Sequence, residues 1–125
     1  MKRTSIIAIA VVLAITLCMP AASAARVQPP AGARLSLTKT VGTTPEVCAA
    51  GSRITVPADS YVWYCYSATN TGSVPLYHHE LTDDVLGPIW AGYQPLFPGE
   101  TILVLREAQV SLPTVNTATW NGWVE

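Results

Sequence analysis

The chain has 125 residues, and its seven basic and eight acidic side chains leave a formal charge of −1 at neutral pH. It holds no basic run and no interleaving of Arg or Lys with aromatics, so nucleic acid is not an expected partner. Beyond the first turns of chain no long apolar stretch or cationic amphipathic segment follows, which argues against stable membrane insertion of the mature protein.

Met1-Lys2-Arg3 precede an apolar run from Ile6 to Leu17, and Met19-Pro20-Ala21-Ala22-Ser23-Ala24-Ala25 follow it. A basic start, a short apolar stretch and small residues at a cleavage site make residues 1–24 a signal peptide. A membrane-spanning helix needs roughly 20 apolar residues, more than this run offers before Pro20. Ala22 and Ala24 place cleavage after Ala24, with Ala25 as the next choice. A retained anchor and a lipid on Cys18 are the competing readings, and the bulky Leu17 argues against the lipid. The expected location is therefore extracellular or at the cell surface. Loss of Lys2 and Arg3 leaves five basic against eight acidic residues, in a chain of a length that suits one domain.

With Cys18 removed, Cys48 and Cys65 remain as an even pair. In an oxidising compartment they are most simply a disulfide, whose loop closure contributes roughly 3 kcal/mol. Two free buried thiols or half a metal site are the alternatives.

Residues 25–33, with Gln28-Pro29-Pro30-Ala31-Gly32, read as a flexible arm before a domain at 34–125. From Arg34 the apolar residues repeat every second position. The alternation predicts strands over Arg34 to Val41, Arg53 to Val56 and Tyr61 to Thr69. Further strands are expected over Leu76 to Thr82, Thr101 to Ser111 and Thr114 to Val124, with a short piece at Ile89-Trp90 among loops. Asn70-Thr71-Gly72-Ser73 is the expected hairpin turn. In the third strand Val62, Tyr64, Tyr66 and Ala68 share one face, taken as the core side. Trp63, Cys65, Ser67 and Thr69 share the other. About seven short strands separated by Pro and Gly turns predict an all-β antiparallel sandwich.

Few residues suggest chemistry. His78-His79-Glu80 is one cluster, but neighbours on a strand point to opposite faces, so only His78 and Glu80 share a side. These residues are expected on a polar strand surface. Asp83 and Asp84, joined by Asn70 or Asn116, are candidates for Ca²⁺, which wants six to eight oxygens. The competing role is hydrogen bonding of a carboxylate to its own turn. Tyr61, Trp63, Trp90, Tyr93 and Trp123 are candidates for an aromatic platform, although aromatics on sandwiches more often pack or cover edges. No nucleophile stands in a recognisable context beside a base, and no phosphate loop occurs. The expectation is a protein without catalytic residues or cofactor.

Leu35-Ser36-Leu37-Thr38-Lys39-Thr40-Val41, Tyr64-Cys65-Tyr66-Ser67-Ala68-Thr69-Asn70-Thr71-Gly72 and Leu81-Thr82-Asp83-Asp84 follow one another in the order seen in a known family. With Pro98-Gly99-Glu100-Thr101 and Val115-Asn116-Thr117-Ala118-Thr119-Trp120, the mature chain resembles the immunoglobulin-like conserved repeat of bacterial surface proteins. The resemblance implies an immunoglobulin-like sandwich that serves as a spacer, stalk or adhesive module and contacts other envelope or extracellular proteins. It carries over no catalytic residue. A small secreted binder of carbohydrate or Ca²⁺ is the alternative expectation.

Overall fold

The structure, a computed structural model, describes residues 31–125. The expected signal peptide and most of the expected arm lie outside the described residues. Among the described residues six strands occur: β1 Leu35–Gly42, β2 Ser60–Asn70, β3 Leu76–Asp83, β4 Gly87–Leu96, β5 Thr101–Val110 and β6 Ala118–Trp123. They form two three-stranded antiparallel sheets, β1-β2-β5 and β4-β3-β6. The expected all-β sandwich with one disulfide is what forms, with six strands where about seven were expected.

The central strand β2 sets the architecture because its two faces differ so sharply in chemistry. Val62, Tyr64, Tyr66 and Ala68 are buried between the sheets, as the alternation predicts. They meet Leu76, Leu81, Ile89, Leu96, Ile102 and Trp120 from the surrounding strands. A slip of one residue would carry this whole set to the outside, so burial of the aromatic face fixes the register.

Three expectations are corrected. Arg53 to Val56 is not a strand: Pro57 has no N–H to give a ladder and biases the residue before it. Only Val56 of this segment packs against the core. Ile89-Trp90 is not an isolated piece, since β4 runs through Gly92 and Tyr93 as a ten-residue strand. Irregularities in its pairing with β3, at Leu76/His78 and Leu81/Thr82, accommodate it. Asn70-Thr71-Gly72-Ser73 is not a hairpin turn but a crossover from one sheet to the other, and none of the four has a positive φ. Gly72 is needed there because a Cβ would run into the Gly32 carbonyl and the Arg34 nitrogen. Gly32, in the expected arm, and Arg34, the first residue of the expected domain, are tied to that crossover: Ser73 N donates to Gly32 O at 2.9 Å and Thr71 N to Arg34 O at 3.1 Å.

The disulfide joins Cys48 to Cys65, with Cα atoms 5.2 Å apart. Cys65 lies on the outer face of β2, opposite the core residues, and the loop after β1 folds over it. Val41 N closes that loop by donating to Gly51 O at 2.9 Å. Gly42 permits the fold-back, because a Cβ there would stand 2.8 Å from the Cβ of Ala49. The bridge is thus a peripheral staple, unlike the core-spanning bridge of antibody domains.

Candidate functional site

The interior of the sandwich is not uniformly apolar. β1 presents Leu35, Leu37, Lys39 and Val41 to the same side, because alternate residues share a face and Lys39 pairs in register with inward-facing Tyr66. β3 ends on Asp83, in phase with buried Leu81. The two side chains meet between the sheets, with the Lys39 ammonium 2.7 Å from Asp83 Oδ2. The Tyr66 hydroxyl donates to the same oxygen at 2.8 Å. Asn116, in the segment leading into β6, donates from Nδ2 to both carboxylate oxygens at 3.2 Å. Val85 N and Leu86 N donate to Oδ1 at 3.0 Å each.

The Asp83 carboxylate therefore receives donors from two strands, from its own turn and from the approach to β6. Burial alone would push its pKa up. The Lys39 ammonium, the backbone N–H of Leu86, the Tyr66 hydroxyl and the N–H of Val85 outweigh that and bring it down to about 2. The same contacts hold Tyr66 in its phenol form: burial, then its bond to Asp83, raise its pKa. Tyr64 is raised too, by burial and by the Asp83 charge. Lys39 is further stabilised by lying over the rings of Tyr64 and Tyr66, 4.6 and 5.3 Å from their centroids.

This arrangement decides how the acidic candidates stand. Asp83 and Asp84 do not converge. Asp83 points inward onto protein donors, including its own turn, while exposed Asp84 accepts from Thr117 N at 2.7 Å. Asn116 does join Asp83, but with its amide nitrogen as donor, and a cation at Asp83 would have to displace Lys39. Asn70 serves the opposite pole, where Nδ2 donates to Val74 O and Leu96 O and Oδ1 accepts from Gly72 N. Among the described residues no group of three His, Cys, Asp or Glu side chains is placed to hold a metal ion.

The histidines divide as strand alternation requires, but His79 is not on a polar surface. It is 2% exposed and stacked on Trp90, with ring centroids 5.8 Å apart. Trp120 Nε1 donates to its Nδ1 at 3.2 Å. Because indole is a donor only, the ring proton sits on Nε2 and is donated to Gln94 O at 3.0 Å. Burial lowers the His79 pKa, against the opposing pull of the Gln94 carbonyl. His79 is a neutral, fully bonded core residue.

His78 faces outward with Glu80. Its register partners across β3 are Tyr93 on β4 and Trp123 on β6, so the three side chains form one row on the outer face. Tyr93 is 64% and Trp123 45% exposed. Tyr93 meets the His78 ring edge-on at 5.2 Å and stacks on Tyr77 at 6.0 Å. Of the remaining platform candidates, Tyr61 is exposed on the other sheet, Trp63 is half-buried, and half-buried Trp90 packs against the core.

At the pole away from Asn70 a cleft of about 590 Å³ opens between residues 52–58 and 110–116, with Val41, Tyr64 and Asn116 at its inner wall. A second cleft of about 300 Å³ is lined by Lys39, Tyr64 and Asn116 and lies beside it. No protein-family model, curated protein or solved structure matches the chain.

Proposed function

We propose that the chain is a non-enzymatic structural or interaction module, exported through its signal peptide to the outside of a bacterial envelope. In this reading it is a single copy of the immunoglobulin-like repeat that its motifs resemble. The observation that carries the reading is the placement of the tryptophans. Trp120 is buried, Trp63 and Trp90 are half-buried, and Trp123 alone among the four is prominently exposed. A module built for mechanical or scaffolding duty spends its aromatics on packing. The disulfide supports an oxidising compartment, and the ionic groups of the interior are consumed in joining one sheet to the other. Fractionation of bacteria expressing the full chain tests the reading: the protein should appear in the medium or on the cell surface, beginning at Ala25 or Arg26. Retention in the cytoplasm with reduced cysteines would overturn it.

The outer row Tyr93–His78–Trp123 favours a second reading, binding of carbohydrate. Exposed rings offer flat apolar faces to the C–H side of a sugar, and His78 and Glu80 lie alongside to bond hydroxyls. Titration with neutral oligosaccharides should then show binding that Trp123→Ala abolishes without loss of folding. Absence of heat or shift change across a glycan panel would remove this reading and leave the first intact.

A further inference from the structure

We propose that Lys39 and Asn116 become joined by an intramolecular amide bond, with Asp83 as the acid–base group of the reaction. An amine, a carboxamide and a carboxylate converge in one sheltered place. Lys39 Nζ is 2.7 Å from Asp83 Oδ2, and Asn116 Nδ2 is 3.2 Å from the same atom. Nζ also lies 3.5 Å from the backbone oxygen of Asn116, so the amine stands alongside the residue it would attack. The Asp83 side chain is fully buried and the Lys39 side chain only 15% exposed, with the two tyrosine rings against the ammonium.

The chemistry balances without any outside reagent. Lys39 passes a proton to the Asp83 carboxylate across their contact, which frees the Nζ lone pair. Nζ attacks Cγ of Asn116 and the new C–N bond forms. Asp83, now the carboxylic acid beside Nδ2, delivers its proton to the departing nitrogen, then accepts the second proton from the attacking nitrogen and passes it to the ammonia as it forms. The Cγ–Nδ2 bond breaks and ammonia leaves, carrying as ammonium the charge that began on Lys39. Asp83 ends as the carboxylate it was. The cleft lined by Lys39, Tyr64 and Asn116 is the exit to solvent. Amides resist amines in water, but a positioned intramolecular pair gains an effective concentration on the order of 10⁵–10⁸ M. A group poised to protonate the leaving nitrogen contributes roughly 10²–10⁴-fold more.

The bond has a structural purpose. β1 and β6 are the edges of different sheets and lie side by side. A bond from Lys39 on β1 to Asn116, 77 residues later and just before β6, would clamp this open side covalently. Tension entering through the first strand and leaving through the last would then bypass most of the domain.

The test is the intact mass of protein purified after expression of the full chain, with the disulfide reduced and the N-terminus sequenced. The expected mass is lower than that of the sequence by one ammonia, with no tryptic cleavage after Lys39 and a branched peptide joining it to the Asn116 segment. Asn116→Ala and Lys39→Arg should each restore the full sequence mass while circular dichroism shows the sandwich intact. Asp83→Asn should also prevent the loss. A folded wild-type protein with its full sequence mass and a cleavable Lys39 would overturn the proposal. So would loss of water in place of ammonia, since that would place the bond on Asp83.

Discussion

Lys39 and Asp83 meet at 2.7 Å across the gap between two sheets, one side chain from the first strand of its sheet and the other from the centre of the second. Neither charge has water as its main partner. The pair ties together layers that dispersion and apolar burial would otherwise join alone. Removing only one partner leaves the other buried and uncompensated, which costs about 3–5 kcal/mol, whereas replacing both by apolar groups is often neutral. In the Asn116→Ala background, where Lys39 stays an ammonium, Asp83→Ala should therefore lower the unfolding free energy by about that amount. Lys39→Met with Asp83→Leu in one chain should recover much of it. Urea unfolding of the two variants checks the difference.

Asp83 also sets an acid limit. Its carboxylate pKa falls from the ordinary 3.8 to about 2 on folding. A depressed carboxylate contributes stability that is complete above the unfolded value and is lost as pH falls through the folded one. In the same Asn116→Ala background, with Lys39 unlinked, the protein should lose about 2 kcal/mol through this group between pH 4 and pH 2. Asp83→Asn, measured over the same range, should show a flatter decline.

These two side chains show how far the sequence could be read. Alternation exposed the core face of β2 because Val62, Tyr64, Tyr66 and Ala68 differ so plainly from their neighbours. The same alternation put Lys39 in phase with Leu35 and Leu37, and Asp83 in phase with Leu81. A charge on an apolar phase twice over is a legible sign of a buried pair. What it could not give was the partner: strands 44 residues apart meet only after the crossover at Asn70-Thr71-Gly72, and that crossover looked like a hairpin. His79 was obscured differently, because its neighbours His78 and Glu80 made the whole stretch look polar. Its burial depends on Trp90 and Trp120, contributed by two other strands.

Reduction of Cys48–Cys65 should weaken the fold without abolishing it. The bridge pins a loop to the outer face of β2 and makes no part of the core between the sheets. Its effect is then mainly on the unfolded chain, roughly 3 kcal/mol for a loop of this length. The Cys48→Ala, Cys65→Ala double variant should keep the β-sheet circular dichroism spectrum and melt lower by several degrees. Loss of the folded spectrum at ambient temperature would mean the bridge is integral to the core.

His79 should make the domain sensitive to mild acid in a separate range. In the folded protein its Nδ1 accepts from Trp120 and its Nε2–H is given to Gln94, so a second ring proton would break the Trp120 bond and bury a charge. Burial accordingly lowers its pKa from the ordinary 6.5. Here the unfolded state binds the proton more readily than the folded one. Stability from this group is therefore complete above pH 6.5 and declines as pH falls from there toward the folded pKa. A variant that cannot protonate isolates the effect. His79→Gln keeps a hydrogen-bonding side chain but no titrating ring, and it should unfold with less dependence on pH between 6.5 and 5 than the wild type. It should also be less stable at neutral pH by about 1–3 kcal/mol, because the Trp120 indole or the Gln94 carbonyl is left poorly partnered. Following the tryptophan fluorescence of Trp90 and Trp120 during urea unfolding at each pH gives both quantities. Identical pH slopes for the two proteins would show that His79 titrates alike folded and unfolded, and that its buried bonds do not favour the neutral ring.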